Sequence, residues 1–290
     1  MTDISTESAA VRRLWQGLGL PGLVDVHTHF MPDNVLRKVW AHFDALGGYW
    51  PITYRDGEQA RVARLRGFGV RRYTSLFYAH RPGMAAWLND WAAGFAAAHP
   101  DCLRGATLYP EPSARDYVPA ALAAGARVFK AHVQVGGYDP RDPLLDAVWG
   151  ALADAGVPVV VHCGSGPVPG EHTGPGPFGE VMRRHPELTA VIAHAGSPEY
   201  TAFLDLAERY PRVHLDTTMV FTRFTERRAP FPADGYPRLK DLADRVLLGT
   251  DYPNIPYPYL EQLDALVGLG LGDDWLRGVL HDNAARLFDL

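Results

Sequence analysis

A parallel (β/α)8 barrel is the fold class this sequence predicts, as a single domain with insertions at the mouth where the strand C-termini gather. Three observations lead there. Short apolar runs rich in Val, Ile, Leu and Thr alternate with longer Ala/Leu/Arg stretches of helical spacing. Run ends at Tyr78, Tyr109, His132, Cys163 and His194 follow one another at about the length of one strand-plus-helix unit. The 290 residues accommodate eight such units, which typically need about 250. An open doubly wound sheet is the structural alternative, but no Gly-x-Gly-x-x-Gly follows the first run.

Residues 1–20 read as a leader, and 21–290 as the barrel. The pattern predicts strands at 23–29, 71–78, 103–109, 127–133, 158–163, 189–194, 213–217 and 245–251. Helices are predicted at 84–98, 113–124, 143–155, 179–184, 198–210 and 234–243. Several end at Gly or at a His-Pro or Tyr-Pro step, because glycine accepts the left-handed cap and proline disfavours helix in the residue before it. Two segments exceed the minimal unit, 30–70 and 219–237, and in a barrel both belong at the mouth, where loops build sites. No Ser/Gly linker divides the chain.

With 47% hydrophobic and 21% charged residues, the composition is that of a globular protein. The 28 basic against 33 acidic residues give a net charge of −5, which offers no positive field to a polyanion, so nucleic acid is not an expected partner. The opening MTDISTESAAVRRLWQGLGL has no continuous apolar segment, and no stretch approaches the roughly 20 apolar residues of a membrane helix. Cys102 and Cys163 make no disulfide framework, although a single bridge between them is open. The expectation is a cytoplasmic protein with no membrane partner, acting on a small molecule.

The chemistry gathers at strand ends. GLVDVHTHF closes the first strand with His27 and His29 two apart, so both imidazoles face one side. Twelve histidines placed at random give about half such a pair, so the spacing alone carries little. Position carries more: His162 ends VPVVVH, His194 ends AVIAH and Asp251 ends RVLLGTD. In a parallel barrel those ends converge on one cavity, and imidazoles with a carboxylate make a zinc, iron or manganese donor set. The bland alternative is buried histidines bonded to neighbouring carbonyls. Asp25 either orients a ligand imidazole or seals the barrel floor through backbone hydrogen bonds, and stays outside the predicted site.

HTH, HCG, IAHAG and GTDYP, in that order on strands one, five, six and eight, resemble the amidohydrolase superfamily. The closest likeness is to its amidohydrolase-related branch of hydrolases, decarboxylases, lactonases and hydratases. ARVFKAHVQVGGYDPRDPLLDAVWGALADAGVPVVVHCG and the closing NAARLF extend the resemblance over nearly all the chain from Leu23. It implies that His27, His29, His162 and Asp251 coordinate one catalytic divalent metal, Zn2+ in the first instance with Mn2+ or Fe2+ as alternatives. It further implies that His194 acts as acid/base with Asp251 on the metal-activated water. Lys130, on VFKAH, grips a substrate oxygen in that picture; in two-metal relatives a carboxylated lysine of the fourth strand bridges both ions, an alternative less favoured here.

Loop residues are weaker candidates. GSGPVPGEHTGPGPFG follows His162, is too rich in Gly and Pro to be helical, and contains His172. Arg223, Arg227 and Arg228 follow strand seven, where an arginine suits a substrate carboxylate, although TERR also reads as a solvated face. Arg223 stands for that group, with Tyr78 and its neighbours His80 and Arg81, and Asn254, as further substrate contacts. Trp87/Trp91 and Tyr257/Tyr259 read as packing. The sequence thus predicts a metal-dependent hydrolase of a small carboxylated or cyclic amide, ester or lactone. Its rivals are a metal-dependent decarboxylase of an aromatic or unsaturated acid and, from another class, a non-catalytic metal- or small-molecule-binding barrel. Homo-oligomers are common among such barrels, but no interface follows from the sequence.

Overall fold

Eight parallel strands close on themselves in the computed structural model, which describes residues 4–290. They are β1 Leu23–Asp25, β2 Val70–Thr74, β3 in two pieces (Cys102–Leu103 and Gly105–Thr107), β4 Val128–His132, β5 Val159–His162, β6 Ala190–Ile192, β7 Val213–Asp216 and β8 Val246–Leu247. Each strand is hydrogen-bonded in parallel to the next, the break at Arg104 aside. Closure runs from the end of β8 to the end of β1: Val26 N donates to Leu248 O (2.9 Å), His29 N donates to Tyr252 O (2.7 Å), and Thr28 bridges Tyr252. The fold is the single-domain (β/α)8 barrel.

Alternation along the strands divides the core in two. Val24, Val26, Val128, Val160, Val191 and Leu247 pack together within the barrel. Phe129, Ala131, Val161, Ile192 and Leu215 pack outward with helix residues such as Trp149 and Phe178. That parity puts Lys130 and His132 of β4, and His162 of β5, on the inner face above Val128 and Val160. Cys102 and Cys163 are buried free thiols. No helix among the described residues is long and apolar enough to cross a membrane.

The regular ladders stop earlier than the hydrophobic runs predict, and the reason is local. β1 ends at Asp25, whose carboxylate accepts the His27 N–H (3.1 Å) and kinks the chain before the two histidines. After β6, His194 and Ala195 adopt left-handed backbone angles (φ 55° and 48°), and Asp251 beyond β8 does the same (φ 67°). Such conformations cost free energy for non-glycine residues and persist where the surroundings hold them. Here they turn side chains out of the ladder toward the barrel axis.

Helices Met84–Ala98 and Pro143–Ala155 have the bounds the sequence predicts; Ala114–Ala123, Tyr200–Arg209 and Gly235–Asp241 are slightly shorter, and Pro175–Arg184 begins earlier, on a proline at its first turn. Segment 30–70 is not a loop but carries helices Asp33–Asp44 and Glu58–Phe68. Helix Ile4–Gly17, within the expected leader, packs on the second of these. Trp15 Nε1 donates to Phe68 O (2.9 Å), Arg12 reaches Gly67 O, and buried Glu7 accepts from Tyr54 OH (2.7 Å). Trp15→Ala should therefore lower the unfolding free energy by about 3–5 kcal/mol, the usual cost of deleting a buried tryptophan. Urea denaturation followed by circular dichroism checks this; an unmoved transition would mean that the helix merely trails the barrel.

Candidate metal centre

Three imidazoles meet one carboxylate at the top of the barrel. His29 Nε2 lies 2.8 Å and His27 Nε2 3.2 Å from Asp251 Oδ1, and His194 Nε2 lies 4.0 Å from Asp251 Oδ2. One donor atom each from His27, His194 and Asp251 fits within 4.8 Å of the others. The opposite edge of every ring is anchored. His27 Nδ1 donates to Asp216 Oδ2 (2.8 Å), His29 Nδ1 to Leu76 O (2.7 Å) and His194 Nδ1 to Thr218 O (3.1 Å). Backbone carbonyls only accept, so Nδ1 of His29 and His194 carries a proton, and a neutral ring then presents a lone pair at Nε2.

Burial, reinforced by the charge of Lys130, pulls the His27 pKa down to about 4, so its ring is neutral at neutral pH. Burial works against ionisation of Asp251, yet His194, His27 and His29 hold its carboxyl well below the ordinary range. Three ring nitrogens thus face an anion, an arrangement that a shared cation between them satisfies. The donor chemistry fits a divalent metal with nitrogen and oxygen ligands, each imidazole oriented from behind as metal-binding histidines are.

Asp216 is the member the sequence reading missed. It ends β7, one residue short of the predicted strand end, so the strand-end rule that found His162 and Asp251 would have reached it. Burial favours its neutral form, but the His27 ring holds its pKa at about 2. Besides His27 it accepts the backbone N–H groups of His194 (2.8 Å) and Thr218 (3.1 Å), so one carboxylate fixes residues from three strand ends. Space is tight there. A Cβ on Gly249 would stand 2.8 Å from His27 Cβ and 3.2 Å from Asp216 Cγ. Asp25 turns away: it accepts from Thr250 Oγ1 (2.6 Å) and Tyr259 OH (2.9 Å), and burial pushes its pKa up to about 7. Its part is to hold the kink, not a ligand ring.

The donor cluster differs from the expected ligand set in one member, since His194 stands in it and His162 beside it. His162 donates Nε2–H to Gly166 O (2.9 Å), which leaves its lone pair on Nδ1. Its ring stacks on His132 (centroids 4.1 Å apart, planes at 12°) and meets His194 edge-on at 4.7 Å. Lys130 Nζ is buried, 3.2 Å from His27 Nε2, and burial draws its pKa down to about 8 against the pull of Asp216 and Asp251.

A cavity of about 1500 Å³ opens above this cluster. Tyr78 and Asn254 line it; Tyr78 packs against His132, and Asn254 Oδ1 accepts from Trp40 Nε1 (2.9 Å), which ties segment 30–70 to the end of β8. Arg223 and His172 do not line it. Helix Arg223–Glu226 turns Arg223 toward Asp264 on a separate outer depression, and His172 lies nearest Asp139 (3.8 Å) and Glu171 (3.9 Å). Arg228 faces the cavity instead, its guanidinium 3.6 Å from the centre of the Tyr49 ring. Asp251 is the one acidic residue among the described cavity-lining residues, against the cations Lys38, Arg81, Lys130 and Arg228.

A family model described as amidohydrolase matches residues 24–290. Among solved structures, the chain is similar to an uncharacterized TIM-barrel protein from Bordetella bronchiseptica (TM-score 0.74, 21% identity, 92% of this chain and 98% of the other covered). It is also similar to a probable 2-pyrone-4,6-dicarboxylic acid hydrolase from Acinetobacter baumannii, solved with citric acid (TM-score 0.61, 13% identity, 93% and 100% covered). A third likeness is to 5-carboxyvanillate decarboxylase from Novosphingobium aromaticivorans with manganese and a nitrobenzoic acid (TM-score 0.57, 17% identity, 94% and 97% covered). No curated protein sequence matches.

Two substitutions test the cluster through metal content. Asp216→Asn should weaken metal binding about 10–100-fold, as loss of a carboxylate behind a ligand imidazole does, with the circular dichroism spectrum retained. His194→Ala should lose metal on dialysis while His162→Ala retains it; the reverse result would restore His162 to the ligand set.

Proposed function

Because the chain belongs to the amidohydrolase family, we propose that it is a metal-dependent hydrolase that cleaves a small carboxylated or cyclic ester, lactone or amide with activated water. The observation that carries this reading is the convergence of His27, His29 and His194 on Asp251 at the floor of a cavity whose other charges are all positive. One bound divalent ion, zinc first and manganese or iron next by this donor set, supplies Lewis acidity and lowers the pKa of water there toward about 7.

The chain's own groups do the rest. Asp251, ionised at neutral pH, accepts a proton from the attacking water through Oδ2, the oxygen opposite the one that His27 and His29 approach. His162, with Nδ1 unengaged and its ring beside His194, is placed to carry that proton to the leaving group. Lys130 stands to share the negative charge that develops on the carbonyl oxygen. Arg228, held flat against Tyr49, presents a guanidinium edge to the substrate carboxylate. A cytoplasmic location is part of this reading, supported by two buried free thiols, which suit a reducing compartment.

One observation favours the decarboxylase reading: Phe43, Tyr49, Trp50 and Phe224 wall the same cavity, a setting for an aromatic acid. In that reaction the bond to the carboxyl carbon breaks, CO2 leaves, and a proton is delivered to the ring carbon. A panel of carboxylated lactones, esters and aromatic acids run in 18O-labelled water separates the two. Label in the product without CO2 supports hydrolysis; CO2 without label overturns it; no turnover of any member by metal-replete protein would favour a binding barrel. On the carboxylated substrate that turns over, Arg228→Gln should raise KM about 10–100-fold, the worth of a charge-assisted hydrogen bond, and leave the methyl ester analogue unaffected.

A further inference from the structure

The cavity and its rim are larger and more apolar than a single carboxylated ring requires. Its volume is about 1500 Å³, whereas roughly 300–1,000 Å³ encloses a drug-sized ligand. Seven large hydrophobic side chains are exposed among the described residues, and four of them, Leu46, Trp87, Val135 and Val168, line this one cavity. Trp87 is 45% exposed and Val168 60%. Single exposed hydrophobics need no explanation, but a ring of them around one opening marks a binding surface.

Each of the four comes from a different element. Leu46 follows helix Asp33–Asp44, Trp87 lies on helix Met84–Ala98, Val135 on the turn Val133–Gly136 after β4, and Val168 on the loop after β5. That loop is pinned at its base, with Gly174 N donating to Cys163 O (2.7 Å) and Ser165 N to Glu199 (3.0 Å). We infer that this rim is a distal subsite for an extended apolar group, alkyl or aryl, so that the preferred substrate is an amphiphilic anion longer than one ring. The inference rests on the anionic-substrate reading above.

Charge decides between a substrate tail and a second copy of the chain. Lys38 and Arg81 line the cavity among the apolar rim residues, with no ion pair to either among the described residues, and they would draw in an amphiphilic anion. A symmetric dimer through the same face would set these cations against their own copies.

Isothermal titration of the metal-loaded full chain with n-alkyl carboxylates, butanoate to decanoate, tests the subsite without any turnover. Affinity should rise about two- to fourfold per methylene in the native protein. In a Trp87→Ser/Val168→Ser double variant the rise should vanish while butanoate affinity is kept. A flat series over a bound butanoate overturns the distal subsite alone; failure of every member to bind, butanoate included, overturns the anionic-substrate reading and the subsite with it. A native dimer that sediments as a monomer in the double variant would assign the rim to self-association and overturn the proposal as well.

Discussion

The arrangement around Asp251 depends on where three imidazoles keep their protons. Each Nδ1–H is spent on an acceptor behind the ring, Asp216 for His27 and backbone carbonyls for His29 and His194. Three Nε2 atoms are thereby turned toward one carboxylate, a set of nitrogen and oxygen donors that a shared divalent cation would join. The rest of the upper barrel serves this constraint. Asp25 kinks β1 so that His27 and His29 leave the ladder, left-handed turns at His194 and Asp251 bring their side chains inward, and the small size of Gly249 lets β8 pass beside His27.

Selectivity lies on other parts of the chain. The donor cluster is built by strand ends, whereas the cavity walls come from segment 30–70, the turn after β4, and the loops after β5 and β7. Trp40 and Trp50 tie segment 30–70 to Asn254, so the wall is fastened to the strand that supplies Asp251. Four cations, Lys38, Arg81, Lys130 and Arg228, and the aromatic walls of this enclosure stand over a single carboxylate. The wall loops can change without disturbing the ladders, which is how one barrel carries different chemistries.

Much of this was legible along the chain. Short apolar runs and helical stretches located all eight strands, because strands buried on both faces read as continuous Val/Ile/Leu segments. Helices Asp33–Asp44 and Glu58–Phe68 escaped: the second, EQARVARLRGF, is charged along its length and buries an arginine, so it shows no apolar stripe. Trp87 read as packing from its spacing with Trp91, yet only Trp91 joins the core, and Trp87 stands at the cavity rim. Among the arginines after β7, spacing could not say which one faces inward. That depends on the turns at Met219 and Phe221, both left-handed, which set the rotation of the helix that follows.

By itself the sequence determined the barrel, the order of its strands and the residues that close them, since those follow from hydrophobic period and chain order. It could not determine which ring nitrogens meet. The stacking of His162 on His132, the place of His194 beside Asp251, the service of Asp216 to three strand ends and the turning away of Asp25 depend on backbone kinks of a few residues. These are fixed by contacts between elements far apart in the chain, so only the tertiary structure decided them.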